Sequence, residues 1–312
     1  MQANPPETVA NSVSPALFAA VVALLLWSGT AIANKVAVNF MDGLTAGVLR
    51  SMLAGVVAVV VTFSLRLPFP QSGKDRAILM LSGLSSFAIW PMLLSVGIVR
   101  TTVGHAALIM AMIPVFTVLI AAIIQGRLPS IGWWFGAAIA LVATTLVVTG
   151  RGLSLGTNGD GSSMVGDLII LCGVVFCSVG YVAGGKLSPK IGTAATTFWG
   201  LSLALVILIP VFSTIVGRTV WTQVPIEGWL AIAWMTFLSS LVGYALWFYA
   251  LGQGGIGRIG SLQLIMPVIT LAVATIMLDE ALTVLLVTSC VAIIAGTFLA
   301  QRYATRPDVR IK

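Results

Sequence analysis

A chain of 312 residues that is 59% hydrophobic and 8% charged, with a mean hydropathy of +1.09, has too little polar surface to cover a globule in water. One histidine and three cysteines argue against a multi-ligand zinc centre and a disulfide framework, so no metal and no cofactor is expected. The net charge of +7 reads as a determinant of membrane orientation, and no nucleic-acid partner is expected.

Ten apolar stretches recur near the length of about 20 residues that crosses hydrocarbon as a helix. They are expected at 16–38, 43–65, 77–97, 102–124, 130–149, 166–186, 193–216, 228–250, 256–278 and 283–301. Lipid offers backbone groups no partner, so the predicted class is an all-α polytopic membrane protein. The first stretch holds Trp27, Ser28 and Asn34, ends at Lys35 and follows a segment without a basic leader, so it reads as a membrane helix rather than a cleaved signal. The second carries Arg50, roughly 10 Å inside its end by helix rise. Trp90 and Pro91 stand within the third, His105 near the start of the fourth and Pro114 in its middle. In the sixth lie Ser178 and Tyr181, in the eighth Ser239, Ser240 and Tyr244, and in the ninth Gln263 and Pro267. The glycine pattern from Gly252 to Gly257 resembles a dinucleotide-binding loop, but it joins two membrane helices and reads as a turn. Gly132 with Gly136, and Gly180 with Gly184, have the spacing that lets membrane helices approach, and packing within the chain is expected of them rather than dimerisation.

The run Met112 to Thr117 around Pro114 returns as Ile265 to Thr270 around Pro267, 153 positions on, and Lys35 returns as Lys186 at 151. Near-constant offsets divide the chain into a segment 1–15, a five-helix repeat 16–149, a glycine- and serine-rich linker 150–165, a second repeat 166–301 and a basic tail 302–312. Five is odd, so the two copies enter the bilayer from opposite sides, as in carriers built from inverted repeats. With the amino terminus inside, eleven lysines and arginines fall on the inner side and four on the outer. That bias places both termini in the cytoplasm and the linker outside. Thirteen residues past each proline stand Arg127, on the inner side, and Glu280, on the outer.

Several residues share the depth of the prolines. Trp27, Ser28, Trp90, Tyr181, Ser239, Tyr244 and Gln263 are candidate solute contacts, since a ring- and hydroxyl-lined cavity suits an apolar or aromatic solute. Packing in the core is the competing reading of Trp27 and Trp90. Trp133, Trp134, Trp221, Trp229 and Trp247 fit an interfacial belt. Pro114 and Pro267 should kink their helices and free carbonyls to a cavity, as hinge or site elements rather than mere packing. Lys35, Arg50 and His105 are the embedded charge and pH candidates. Arg50 needs a partner, either a solute carboxylate or a structural network that includes Asp42, and His105 is either a protonation switch or a packed ring. All nine acids fall in loops or at span ends, which weighs against a cationic-drug antiporter. Cys172, Cys177 and Cys290 read as reduced packing residues.

Trp27-Ser28-Gly29 with Lys35, Arg50, His105 to Ile109 leading to Pro114-Val115-Phe116, and Pro267 to Asp279-Glu280-Ala281-Leu282-Thr283 together resemble the EamA-type branch of the drug/metabolite transporter superfamily, in the style of its aromatic amino-acid exporters. The resemblance implies a basket in which spans 1 to 4 and 6 to 9 surround a cavity while 5 and 10 lie outside it. The first half departs from the pattern with Gly126-Arg127-Leu128-Pro129-Ser130, which lacks the acid.

The function expected is export of small metabolites, amino acids with apolar or aromatic side chains first, by alternating access across the inner membrane. The partners expected are that solute and lipid, and a monomer suffices. An efflux carrier for neutral or anionic xenobiotics, and a scaffold or channel subunit, are the alternatives; an enzyme is not expected.

Overall fold

The computed structural model describes residues 8–126, 128–149, 163–254 and 262–303. Among them run nine helices long and apolar enough to cross a bilayer: Pro15–Ala37 (span 1), Gly43–Ser64 (span 2), Gly73–Ile98 (span 3), Val103–Gln125 (span 4), Ile131–Thr149 (span 5), Met164–Ile191 (span 6), Thr193–Arg218 (span 7), Ile226–Trp247 (span 8) and Val284–Tyr303 (span 10). A shorter apolar helix, Leu262–Leu278 (span 9), completes the ten. Arg127, the linker to Ser162, most of the glycine-rich turn before Leu262 and the tail beyond Tyr303 lie outside the described residues.

Local chemistry sets the boundaries. Asp42 accepts the Thr45 N–H at 3.0 Å to start span 2, and Ser72 accepts the Asp75 N–H at 3.0 Å to start span 3. Thr102 does the same for His105 in span 4, and Gly126, at φ +65°, ends that span in a left-handed turn closed to most side chains.

The packing repeats as the sequence does. Spans 2 and 7 pair across the molecule, as do 5 and 10; span 1 lies against 8 as 3 lies against 6, and 4 against 6 as 9 against 1. Every pair maps onto another, or onto itself, when the halves exchange, which is the contact pattern of a twofold relating inverted five-helix repeats. Backbones touch where spans 5 and 10 cross: a Cβ on Gly296 would lie 2.7 Å from the Gly136 carbonyl. Gly132 faces Tyr303, and Gly180 faces Ser86 so closely that a side chain has no room. These glycines pack within the chain.

Four spans depart from regular helix, two in each repeat at matching places. Span 4 stops at Met110 and restarts at Ile113, with Pro114 in the new first turn. Span 9 opens with a tight turn, Leu262–Ile265, before Met266–Leu278, with Pro267 in the same position. Spans 3 and 8 each widen into π-helical geometry, over Leu84–Ile89 and Trp234–Gly243.

Two of the five tryptophans expected in an interfacial belt sit elsewhere. Trp133 is 1% exposed, and Trp247 packs against the Trp27 ring at 5.3 Å inside a buried cluster. An indole at a span end is equally able to turn inward, so end position alone does not fix its environment.

Candidate solute cavity

The irregular stretches of spans 3, 4, 8 and 9 meet around a cavity of about 110 Å³; an engineered cavity of about 150 Å³ holds benzene. Trp27, Trp90, Tyr181, Ser239, Tyr244 and Gln263 all line it, together with Pro114, Pro267 and Arg50. Of the residues singled out by depth, Ser28 and Ser178 are not in its wall: the Ser28 hydroxyl is buried without a partner among the described residues while its carbonyl accepts Thr270 Oγ1 at 3.3 Å, and Ser178 donates to the Val174 carbonyl at 2.9 Å. Thr297, with Ile293 and Ile294, brings span 10 into the wall. That corrects the expectation of a peripheral tenth helix, because the crossing with span 5 occupies only one of its faces.

Rings and hydroxyls are fixed by bonds between the halves. Trp27 donates its Nε1–H to the Ser239 carbonyl at 3.0 Å, and Thr30 and Ser239 share a hydroxyl contact at 2.7 Å. Tyr244 meets the edges of Trp27 at 5.1 Å and Phe87 at 5.8 Å. Trp90 follows one π-helical stretch as Tyr244 follows the other. Neither proline can return an N–H to the carbonyl four residues back. Those carbonyls belong to Met110 and Gln263, and both residues are in the wall.

Ser240, noted in the eighth stretch, also lines the cavity, as do Ser86, Phe87 and Thr297, which sequence reasoning passed over. Ser86 and Phe87 lie on the π-helical turn of span 3, where the extra residue per turn brings inward side chains that an α-helical register would rotate away. Thr297 offered no signal beyond a polar side chain in an apolar run.

Arg50 is 6% exposed. Its guanidinium donates to Met235 Sδ at 3.4 Å and its carbonyl accepts Thr236 Oγ1 at 3.4 Å. Asp42, the expected structural partner, instead caps span 2. Arg50 therefore stands in the cavity wall and does not join Lys35 and His105, which share the turn between spans 3 and 4.

That turn is fastened from three sides. Lys35 donates to the carbonyls of Ile98 at 2.9 Å and Thr101 at 2.7 Å. Glu280, from beyond span 9, accepts the N–H groups of Val103 at 2.7 Å and Gly104 at 2.9 Å, at the positive end of span 4. Asp167, in the first turn of span 6, takes the Thr101 hydroxyl and lies 2.7 Å from His105 Nδ1. Asp167 is 1% exposed, at the span end where the sequence places it. A helix end tucked beneath a neighbouring turn is buried whatever its place in the hydropathy plot. This end of the cavity is thereby covered.

At the opposite end a second cavity of about 630 Å³ reaches Gly184, Pro189, Thr193 and Thr197 where spans 6 and 7 join. It shares Trp27, Ser86, Phe87, Tyr181, Tyr244 and Gln263 with the first. Among the described residues no group of three or more His, Cys, Asp or Glu is placed to hold a metal.

A duplicated membrane bundle enclosing a ring-lined cavity between its halves, covered at one end and wide at the other, defines the class as a membrane carrier. The sequence pattern of the EamA-like transporter family matches residues 14–149 and again 164–301, and the chain belongs to that family. It is 30% identical to an uncharacterized transporter, YdeK, of Bacillus subtilis (strain 168), over 91% of this chain and 96% of that one. It is 24% identical to a probable amino-acid metabolite efflux pump of Escherichia coli (strain K12), covering 90% and 92% of the two chains, and 22% identical to a probable terminal-alkyne amino-acid exporter of Streptantibioticus cattleyicolor, covering 93% and 94%. A solved crystal structure, described only as a protein, is similar in fold with a TM-score of 0.60 at 20% identity, over 92% of this chain and 96% of that one.

Proposed function

We propose that this transporter exports small metabolites, with amino acids bearing apolar or aromatic side chains as the leading class, by alternating access between its inverted repeats. The observation that carries the reading is the cavity in which broken helices of both halves bring Trp27, Trp90, Tyr181 and Tyr244 beside hydroxyls and freed carbonyls. Rings give an apolar side chain a surface, and the few polar groups orient its other end. Two relatives whose names speak of amino-acid export or efflux support the choice.

The lysine and arginine bias puts both termini in the cytoplasm of an inner-membrane protein. In that orientation the wide cavity opens to the cytoplasm and the turn held by Lys35, Asp167 and Glu280 closes the outer end. This is the loading state of an exporter. The halves then rock about the breaks at Pro114 and Pro267, and Glu280 must release the start of span 4 for solute to leave. The internal repeat lets one chain do this, without a second copy.

Radiolabelled phenylalanine flux in liposomes containing the purified chain tests the reading. Trp27→Ala and Gln263→Ala should each reduce it several-fold; normal flux in both variants would remove the site assignment. A second reading, efflux of neutral or anionic xenobiotics, draws on the absence of any acid among the described residues of the cavity wall. Expressing cells would then resist such drugs while remaining sensitive to toxic aromatic amino-acid analogues.

A further inference from the structure

We infer that Arg50 is the docking point for a carboxylate on the transported solute, and that an ammonium group beside that carboxylate is not needed for binding. The inference rests on the cavity being the solute site and narrows what the site takes.

A guanidinium presents five N–H donors in one plane and stays charged under all ordinary conditions. Arg50 is buried, yet among the described residues its guanidinium makes one hydrogen bond, to the weakly accepting Met235 Sδ, with the Tyr244 phenol in electrostatic reach. The ion pairs among those residues are His105 with Asp167 and Lys190 with Asp75, and neither involves Arg50. A buried cation left this way is unstable unless something arrives to complete it. What lies in front of it is the cavity.

A planar guanidinium fork in the wall of a cavity is the arrangement that receives a carboxylate, its two oxygens on parallel N–H groups. The Trp27 and Tyr244 rings then stand beside the apolar part of the solute.

Charge decides between kinds of carboxylate. Among the described residues Arg50 is the only charged one in the cavity wall, and no acid is there. A monoanion neutralises the site. A zwitterion leaves it positive, and the described wall offers its ammonium dipoles, such as the Met110 and Gln263 carbonyls that the prolines cannot bond, but no carboxylate. The class favoured is therefore a monocarboxylate with an aromatic or bulky apolar body, whether or not an amino group accompanies it.

The test is a tryptophan-fluorescence titration of the full chain in nanodiscs with 3-phenylpropionate, its neutral amide, phenylalanine and phenylalaninamide. The propionate should bind at least about tenfold tighter than its amide, as expected for a hydrogen-bonded charge pair, and no more weakly than phenylalanine. Arg50→Gln should abolish the difference between propionate and amide, with a wild-type melting temperature and elution volume reporting that the variant is folded. Arg50→Lys, which keeps the charge but loses the fork, should restore part of the difference. If Arg50→Gln does not fold, the wild-type comparison and Arg50→Lys decide. Survival of the preference for propionate in Arg50→Gln, or tighter binding of phenylalanine than of propionate, overturns the inference. Failure of all four probes to bind, or indifference of all four to Trp27→Ala, would instead sink the assignment of the cavity as the solute site.

Discussion

Trp27 joins the halves twice, through its N–H to the Ser239 carbonyl and through ring contacts with Tyr244 and Trp247. Replacing it with phenylalanine keeps most of the rings and removes the bond, so Trp27→Phe should lower stability by about 1 kcal/mol and raise the KM for solute, read from melting and flux. Its neighbour should behave differently. Ser28→Ala removes a buried hydroxyl that has no partner, so melting temperature and flux should stay at the wild-type level, within about 0.5 kcal/mol. The contrast shows what was legible in the sequence. Trp27, Trp90, Tyr244 and Gln263 could be found because polar or aromatic groups at mid-depth in an apolar helix need a reason. Adjacent residues, however, lie on different faces, so depth alone could not separate Trp27 from Ser28. Nor could it separate Arg50, which faces the cavity, from Lys35, which holds carbonyls at the covered end.

At the level of the helix, the ten spans were readable almost to their ends, because crossing hydrocarbon demands a length and an apolarity that nothing else in the chain imitates. The breaks were readable only in part. Pro114 and Pro267 announce theirs by lacking an N–H, whereas the π-helical stretches of spans 3 and 8 carry no compositional mark and became visible only in three dimensions. Two outcomes follow from these elements. Gly136→Val should abolish folded protein in the membrane, since even a Cβ there collides with the backbone of span 10 at Gly296 and Ala300; detergent-stable yield on a sizing column checks it. Glu280→Gln weakens two bonds to the start of span 4 by a total of about 1.5 kcal/mol or more, roughly tenfold in the closed-to-open ratio of that end. An Ala31→Cys reporter in the cavity wall should then react faster with an impermeant thiol reagent added outside, in a background free of the native cysteines.

For the whole molecule, the contacts at each end join the loops that an alternating ten-span path places together. Lys35 reaches Ile98 and Thr101, and Glu280 reaches Val103, at one face; Asp75 meets Lys190 at 2.6 Å, and Ser130 meets the Tyr303 carbonyl at 2.6 Å, at the other. Cysteines placed near each end of the chain should accordingly be labelled from the same side of the membrane. Labelling from opposite sides would contradict the odd-numbered repeat. The two faces are related by symmetry but not equal in chemistry, for Glu280 fastens one, and the position that matches it in the sequence of the first repeat holds arginine. A carrier with such unequal ends does not cycle evenly. Under the export cycle proposed above, the empty form should dwell where the carboxylate clasp is shut and return fast after each delivery, so turnover should be set by the outward stroke and should quicken as internal solute rises, with external solute doing little to speed it.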